Sequence, residues 1–310
     1  IQLALLVETT HTNELNYTPD VWNILKTSDL DPENPQNVLL IYGYNDTDES
    51  VSNDRTRDKD MSCHVSNCTG LWVREHVFPR SLGTPNLGFQ YAGADAHNLR
   101  PIDSQMNSAR SNRKFADGEG NAAVLSGGNF YPGDEWKGDV ARMMMYMYLR
   151  YPTQCAAIIV GTGSTFYSPL SDMPDIFLEW NEQDPVDEVE LMRNDVIEIY
   201  QGNRNPFIDN PYLATLIWGG PQAENAWEEL STEKSLRLDI FMYPTITSDY
   251  LYIKEDAYNL YKCEIYNVTG QFIREENVIG KIDLSDLSSG MYFIRIKSQN
   301  EQMNFKVIKR

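Results

Sequence analysis

Residues 72–81 of the chain read WVREHVFPRS, residues 95–101 read DAHNLRP and residues 107–112 read NSARSN. This stretch supplies a carboxylate next to a histidine, an amide side chain and several arginines. Metal-assisted cleavage of a phosphodiester needs these groups: a base to activate water, oxygen ligands for a cation, and positive charge near the phosphate. The pattern therefore indicates a nuclease site.

In this order and at these spacings, the three segments resemble the endonuclease I family of extracellular and periplasmic bacterial nucleases, which belong to the ββα-metal (His-Me finger) group. The matching core is residues 74–77 with Pro79 and Ser81. Two further blocks are similar to the family: residues 138–142 read GDVAR, and residues 203–209 read NRNPFID. The resemblance implies an α+β nuclease domain over residues 1–232, built on a ββα-metal core with surrounding helices.

The resemblance also implies an activity, namely Mg²⁺-dependent hydrolysis of DNA without sequence specificity. Whether RNA is a substrate as well is left open by the sequence. His76 is then the general base that activates water, and Glu75 and Asn107 hold the Mg²⁺, with Mn²⁺ or Ca²⁺ as alternative ions. The arginine beside the scissile phosphate is Arg80 or Arg100, and the sequence does not decide between them. Further substrate contacts are expected from Arg74, Arg110, Ser111 and Asn98.

Elementary chemistry agrees with these roles. A histidine has an unperturbed pKa of about 6.5, so neutral His76 can accept a proton near physiological pH. Magnesium accepts a sparse set of protein ligands because it keeps several waters and also binds substrate phosphate. Adjacent side chains of a regular strand point to opposite faces, so Glu75 and His76 require a strand end or a bulge if both enter one site. Pro79 shortly afterwards fits an interrupted strand.

A short helix is expected after the turn at residues 101–104. Asp103 or Ser104 is the candidate N-cap, and Asn107 falls early in this helix. Arg110 and Ser111 follow one turn later and are expected to reach phosphate. His97 and Asn98 have two open interpretations, since they either join the site or only pin the loop that carries it.

The overall charge of the chain is the opposite of what a polyanionic substrate favours. The chain has a net charge of −19, whereas Lys and Arg dominate affinity for nucleic acids. Between residues 71 and 115, however, six basic residues stand against three acidic ones. We therefore expect the basic footprint to lie with the motif, and ordinary surface arginines are the competing explanation.

Other segments predict local structure. Residues 1–7 resemble the interior of a helix whose start is missing, and residues 17–22 open a short helix. The apolar run 38–42 favours a buried strand, and the polar segment 45–60 favours a loop. Val140, Met143, Met144 and Met147 recur at helical spacing, which predicts a core-facing stripe. No run of about 18 apolar residues occurs, so no membrane-spanning helix is expected.

The residue pattern changes near residue 233. From there, short stretches of alternating apolar and polar residues, separated by turns, predict a small antiparallel β-sandwich. The alternations lie at residues 236–242, 251–254, 263–266 and 292–296. The runs at residues 243–251, 265–270 and 284–292, together with the terminal KVIKR at 306–310, resemble the C-terminal sorting domain of type IX secretion substrates. Residues 233–310 are thus expected to engage the type IX secretion machinery and to place the protein outside a Gram-negative cell. An accessory module that binds carbohydrate or protein is the alternative.

Four cysteines remain to be placed. Cys63 and Cys68 are close enough to form a small disulfide loop in an oxidising compartment. Cys155 and Cys263 are expected to be buried thiols or a second pair. A zinc site from Cys63, His64, Cys68 and His76 is a weaker alternative, because an exported chain favours the disulfide.

A competing class of function is a binding protein that keeps the nuclease scaffold but has lost activity. All three chemical positions, His76, Glu75 and Asn107, are present, which favours the enzyme.

Overall fold

The Glu75-His76 pair lies at the end of a short strand, β3 (Trp72–His76), which pairs antiparallel with β4 (Leu99–Asp103). Helix α3 (Ser104–Arg110) follows β4 directly. The computed structural model describes residues 2–227, 241–254, 261–297 and 302–310. The chain divides into two units, Ile1–Leu230 and Ser231–Arg310, and the boundary predicted between residues 232 and 233 lies outside the described residues.

Asp103 connects the strand pair to the helix. One carboxylate oxygen of Asp103 accepts hydrogen bonds from the backbone N–H groups of Gln105 at 2.7 Å and Met106 at 3.0 Å, which caps α3. The other oxygen accepts a bond from the Arg57 guanidinium at 2.6 Å. Of the two predicted caps, Asp103 is therefore the N-cap of α3.

The remaining elements of the first unit surround this strand–strand–helix arrangement. The helices are α1 (Gln2–Thr10), α2 (Asp20–Ser28), α4 (Lys137–Arg150), α5 (Asp175–Gln183), α6 (Glu188–Gln201), α7 (Pro206–Asp209) and α8 (Tyr212–Trp218). The strands are β1 (Asn37–Leu39), β2 (Thr56–Asp58), β5 (Ala123–Val124) and β6 (Phe130–Tyr131). The helices predicted at the start of the chain and after residue 17 are confirmed.

Helix α4 forms the centre of the first core. Val140, Met143, Met144 and Met147 are all buried, which confirms the packing role predicted for this stripe. Aromatic rings fill the space around it; Phe115, for example, makes an edge contact with Trp180 at a centroid distance of 6.4 Å. Burying apolar side chains of this size is the main driving force for such a fold.

The polar segment 45–60 is not only a loop. Thr56–Asp58 forms β2 and pairs antiparallel with β1, with Val38 opposite Arg57. The Arg57 side chain is buried there because it bonds both Asp54 and Asp103. The apolar run 38–42 is buried as predicted, although only Asn37–Leu39 has strand geometry.

A buried ionic cluster joins α2, β4, α4 and α6. It contains three arginines and three carboxylates: Arg100, Arg142, Arg193, Asp29, Asp139 and Glu190. The arginines bridge between elements; Arg193, for example, donates to the Ala96 and Leu99 carbonyls at 2.6 and 2.7 Å. Equal numbers of opposite charges offset part of the cost of removing each ion from water.

The described residues of the second unit form two sheets. One has the order β11-β10-β13-β14-β8 and the other β12-β9-β7. The strands are β7 (Phe241–Tyr243), β8 (Ile246–Thr247), β9 (Tyr250–Lys254), β10 (Tyr261–Asn267), β11 (Phe272–Val278), β12 (Lys281–Asp283), β13 (Gly290–Lys297) and β14 (Gln302–Lys309). Leu251 and Ile282 of the smaller sheet share a core with Ile265 and Ile294 of the larger one, as in a β-sandwich. Most of the alternation predicted at residues 236–242 lies outside the described residues.

The cap of α3 can be tested with a pair of substitutions. Asp103→Ala removes both the cap and the Arg57 partner, so we expect the free energy of unfolding to fall by about 3–5 kcal/mol. Asp103→Asn keeps an acceptor for the helix N–H groups and should recover about 1 kcal/mol of that loss. Urea unfolding followed by tryptophan fluorescence measures both, since all six tryptophans lie in the first unit. Equal stability of the two variants would contradict the capping role.

Candidate active site

A cleft of about 520 Å³ opens where β3 ends. It brings together most of the predicted site residues: Arg74, Glu75, His76, Arg80, Asn107 and Ser111. Glu75 and His76 have different neighbours, as expected for adjacent strand positions. Glu75 contacts Tyr42 and Arg110, whereas His76 contacts Tyr17 and Gly93. Both reach the cleft because His76 is the last residue of the strand.

The hydrogen bond of His76 determines which ring nitrogen carries the proton. The His76 Nε2 atom lies 2.8 Å from the Gly93 carbonyl oxygen. A carbonyl oxygen can only accept, so Nε2 carries the hydrogen and Nδ1 keeps its lone pair. Burial lowers the pKa of His76 to about 3, although the bond to Gly93 opposes this shift. The ring is therefore neutral at neutral pH, with Nδ1 able to accept a proton.

Glu75 is a buried carboxylate with one cationic partner among the described residues. Its Oε1 atom lies 3.2 Å from Arg110 Nε and accepts a bond from the Tyr42 hydroxyl at 3.4 Å. Burial raises the pKa of Glu75 to about 7, while Arg110 and Tyr42 act in the opposite direction. The negative charge of Glu75 is thus only partly compensated, and a further cation in the cleft would stabilise it.

Asn107 and the residues after α3 form the opposite wall of the cleft. Asn107 lies on α3, half-buried, as the sequence predicts. The chain reverses at Ser111, whose φ is 53°, and Asn112 then donates a side-chain hydrogen bond to Ser81 Oγ at 3.2 Å. Asn112 and Ser81 also line the cleft. An amide oxygen, a carboxylate and hydroxyl groups are ligands that a hard divalent cation prefers.

Two arginines at the cleft are oriented by aromatic rings. The Arg74 guanidinium lies 3.4 Å from the centre of the Tyr17 ring and donates to the Tyr17 carbonyl and the Thr18 hydroxyl. The Arg80 guanidinium lies 3.7 Å from the centre of the Phe89 ring. Within the part of the chain that the structure describes, the buried Nε of Arg80 has no hydrogen-bond partner. Stacking on rings restrains both guanidinium groups while leaving N–H donors available.

Three residues predicted to contact the substrate do not line the cleft. Arg100 is buried and pairs with Asp29 at 2.6 Å and Asp139 at 2.8 Å, so it belongs to the ionic cluster. Arg110 is fully buried, forms an ion pair with the Glu75 carboxylate at 3.2 Å, and donates hydrogen bonds to the Val77 and Ser111 carbonyls at 2.8 and 2.9 Å. The Asn98 side chain is also buried, and it bonds the Phe78 N–H and carbonyl at 2.7 and 3.2 Å. Arg110 and Asn98 therefore position the site and do not line it.

The profile of the family described as Endonuclease I matches residues 1–212. The chain belongs to the endonuclease I family.

The relatives of this nuclease have names that describe them as extracellular or periplasmic. The chain is 43% identical over 217 residues to the extracellular ribonuclease of Bacillus subtilis (strain 168), covering 66% of this chain and 69% of that protein. It is 44% identical over 219 residues to the extracellular ribonuclease of Bacillus amyloliquefaciens, with the same coverage. It is 28% identical over 141 residues to a periplasmic deoxyribonuclease of Aeromonas hydrophila, covering 41% of this chain and 54% of that protein.

The second unit carries the export signal. The profile described as a secretion system C-terminal sorting domain matches residues 241–310. With the extracellular relatives, this match confirms a secreted or cell-surface nuclease. Among the helices that the structure describes, none is long and apolar enough to cross a bilayer.

The cysteines are arranged as expected for an exported protein. Cys63 and Cys68 form a disulfide with a Cα–Cα distance of 5.6 Å, and this uses both thiols of the alternative zinc site. The Cys68 carbonyl accepts a 2.6 Å bond from Ser104, the first residue of α3, so the disulfide loop supports the start of that helix. Cys155 and Cys263 are buried free thiols.

The segment at residues 95–98 anchors the loop between β3 and β4. His97 is buried, and its Nε2 lies 3.2 Å from the Asn203 carbonyl oxygen. Asp95 accepts bonds from the Gln201 side chain at 3.0 Å and the Tyr146 hydroxyl at 2.8 Å. These contacts dock the 203–209 block onto the loop that follows β3, so of the two interpretations of His97 the structure favours the pinning role.

The sequence did not identify Tyr17, Tyr42 and Gly93 as parts of this site. Tyr17 stacks on His76 at a centroid distance of 5.5 Å, and Tyr42 and Gly93 bond Glu75 and His76. Tyr17 and Tyr42 lie far from the motif in sequence, and common residue types outside a motif give no signal of a distant contact. Only the three-dimensional fold reveals them.

The positioning role of Arg110 gives a second prediction. Arg110→Met keeps an apolar side chain beside Phe115 but leaves Glu75 buried without its cation, so the free energy of unfolding should fall by about 3–5 kcal/mol. Arg55 is the control, because it pairs with Glu135 on the surface at 2.5 Å and both groups are exposed. Arg55→Met should cost at most about 1 kcal/mol. Urea unfolding of both variants tests the contrast, and equal losses would refute it.

Proposed function

We propose that this protein is a divalent-cation-dependent endonuclease that hydrolyses phosphodiester bonds of RNA and DNA, with His76 as general base. One observation carries the proposal: His76 lines a cleft together with Glu75 and Asn107, and its Nε2 is tied to the Gly93 carbonyl, so Nδ1 keeps its lone pair. A base held in one tautomer next to oxygen ligands is what cleavage of a phosphodiester by water requires.

The order β3, β4, α3 supports a ββα-metal core. The base and one ligand lie at the end of the first strand, and the second ligand lies on the helix. Arg110 and Asp103 hold the helix against the strands through Glu75 and Arg57. The distance between ligand and base is thereby set by buried interactions and not by a loose loop.

The residues of the cleft fit a Mg²⁺ ion. Glu75 offers a carboxylate whose charge Arg110 only partly compensates, and Asn107 offers a neutral amide oxygen. Mn²⁺ and Ca²⁺ also favour oxygen ligands, so the donor set admits them as alternatives. When bound, the ion would act as a Lewis acid that stabilises charge on the phosphate and on the leaving oxygen.

His76 performs the proton transfer. Nδ1 accepts a proton from water as the water oxygen bonds to phosphorus and the bond from phosphorus to the leaving oxygen breaks. The Gly93 carbonyl remains bonded to Nε2–H throughout and stabilises the imidazolium that results. Arg80 lines the cleft, whereas Arg100 is buried, so Arg80 is the better candidate for the contact to the scissile phosphate.

Both RNA and DNA are proposed as substrates. Two of the relatives are named ribonucleases and two deoxyribonucleases. Arg74 and Arg80 lie where they would contact phosphate, and phosphate contacts carry no sequence information. Degradation of plasmid DNA and of RNA, each with and without a chelator, tests the proposal. Absence of cleavage in every condition would favour the inactive binding scaffold.

Removal of the base should abolish most of the activity. His76→Ala is expected to lower kcat by about 10²–10⁴-fold, the usual contribution of a general base. Steady-state cleavage of a fluorogenic oligonucleotide measures the effect. His64→Ala is the matched control, because His64 is exposed and stacks on Trp22 away from the cleft. If His76→Ala cleaved within a few-fold of the parent, another group would have to be the base.

The metal ligands can be separated from the base by titration. Glu75→Ala and Asn107→Ala should each raise the Mg²⁺ concentration for half-maximal activity by at least about tenfold, because each removes one of two protein ligands. Gln105→Ala is the control on α3, since Gln105 is exposed and does not line the cleft. An unchanged Mg²⁺ requirement in both ligand variants would place the ion elsewhere.

A further inference from the structure

A second groove adjoins the proposed catalytic cleft. It has a volume of about 610 Å³, and Tyr17 lines both spaces. Its other lining residues include Leu87, Gly88, Phe89, Gln90 and Tyr91. None of these residues takes part in the proton transfer or the metal binding described above.

The groove presents aromatic rings to solvent. Phe89 is 54% exposed and Tyr91 is 63% exposed. Tyr17 lies beside Phe89 with ring centroids 5.0 Å apart. The Arg80 guanidinium lies on the Phe89 ring, so positive charge and an aromatic surface meet at the border between the two spaces. Aromatic rings next to basic groups are the usual combination for binding single-stranded nucleic acid.

The loop that carries these rings is tightly constrained. A side chain at Gly93 would approach the Gly88 carbonyl oxygen to 2.3 Å, so the two ends of the loop pack backbone to backbone. Tyr91 has a φ of 49°, a conformation that costs energy for a residue with a large side chain. Gly93 at the end of the loop bonds His76. The backbone that carries the rings is therefore constrained before a substrate arrives, which lowers the entropic cost of ordering this loop on binding.

We propose that this groove is a stacking subsite for an unpaired nucleobase next to the scissile phosphate, and that it makes the enzyme prefer single-stranded over double-stranded substrate. The inference rests on the proposed nuclease function. Because Tyr17 lines both spaces, one strand can place its scissile phosphate in the cleft and a neighbouring base in the groove. A base inside a duplex is already stacked on both faces and must be unpaired before it can enter. Stacking accepts every base, so the subsite adds strand preference without sequence preference.

The test measures binding separately from cleavage. In the His76→Ala background and with chelator present, fluorescence anisotropy gives the Kd of a labelled 12-residue single-stranded oligonucleotide and of its duplex. The double substitution Phe89→Ala/Tyr91→Ala should weaken single-strand binding by about 5- to 150-fold, as is typical of lost base stacking. Duplex binding should weaken by a smaller factor, because the loss of Phe89 also releases Arg80, which binds the phosphate of either substrate. In the active enzyme the same substitution should raise KM for the single strand more than it lowers kcat.

Matched variants distinguish stacking from folding. Phe89→Tyr keeps an aromatic face and should bind as the parent does, whereas Phe89→Leu keeps apolar bulk and should lose affinity. Phe166→Ala is the control, because Phe166 is 87% exposed and lines neither space. Equal losses for single strand and duplex, or equal binding by the Leu and Tyr variants, would overturn the subsite. Failure of the parent enzyme to cleave while these binding differences persist would instead overturn the proposed catalytic function.

Discussion

The guanidinium of Arg110 is the interaction on which the candidate site depends. It extends from the last residue of α3 to the Glu75 carboxylate at the end of β3, and it also bonds the carbonyls of Val77 and Ser111. Strand, helix and the two segments that leave them are thus joined through one buried side chain. A buried carboxylate without such a partner would be expelled or neutralised, and the strand end would lose its position relative to Asn107. The same contact compensates the negative charge of Glu75 only in part, so the Glu75 carboxylate remains suited to bind a cation.

The distribution of arginines explains how an acidic chain can act on a polyanion. Six basic residues lie around the motif in the sequence, but Arg100 and Arg110 form ion pairs with buried carboxylates. The positive charge available in the cleft comes from Arg74 and Arg80, each oriented by an aromatic ring. Phosphate affinity then depends on a few oriented donors and less on an extended basic surface. The rest of the net charge of −19 serves solubility and disfavours unspecific attachment to polyanions.

The sequence predicted the features that depend on local chemistry. The spacing of Met143, Met144 and Met147 predicts a buried helix face, and the alternation rule places Glu75 and His76 at a strand end. It did not predict the direction of long side chains, because Arg110 has the same local pattern whether it faces solvent or core. It also missed β2, since Thr56–Asp58 is polar and becomes a strand only through pairing with β1 and the burial of Arg57. Contacts such as Tyr17 with His76 depend on tertiary packing alone.

The bond between His76 and Gly93 couples the chemistry of the site to its neighbouring loop. Gly93 must be glycine because the Gly88 carbonyl leaves no space for a side chain, and this close approach fixes where the Gly93 carbonyl points. That direction determines the tautomer of His76. The loop that sets the proton position is therefore the same loop that presents Phe89 and Tyr91 to solvent. Any substrate contact that displaced these rings would also move the acceptor of the His76 proton. A rigid loop avoids this conflict, since binding and proton transfer can then use one geometry.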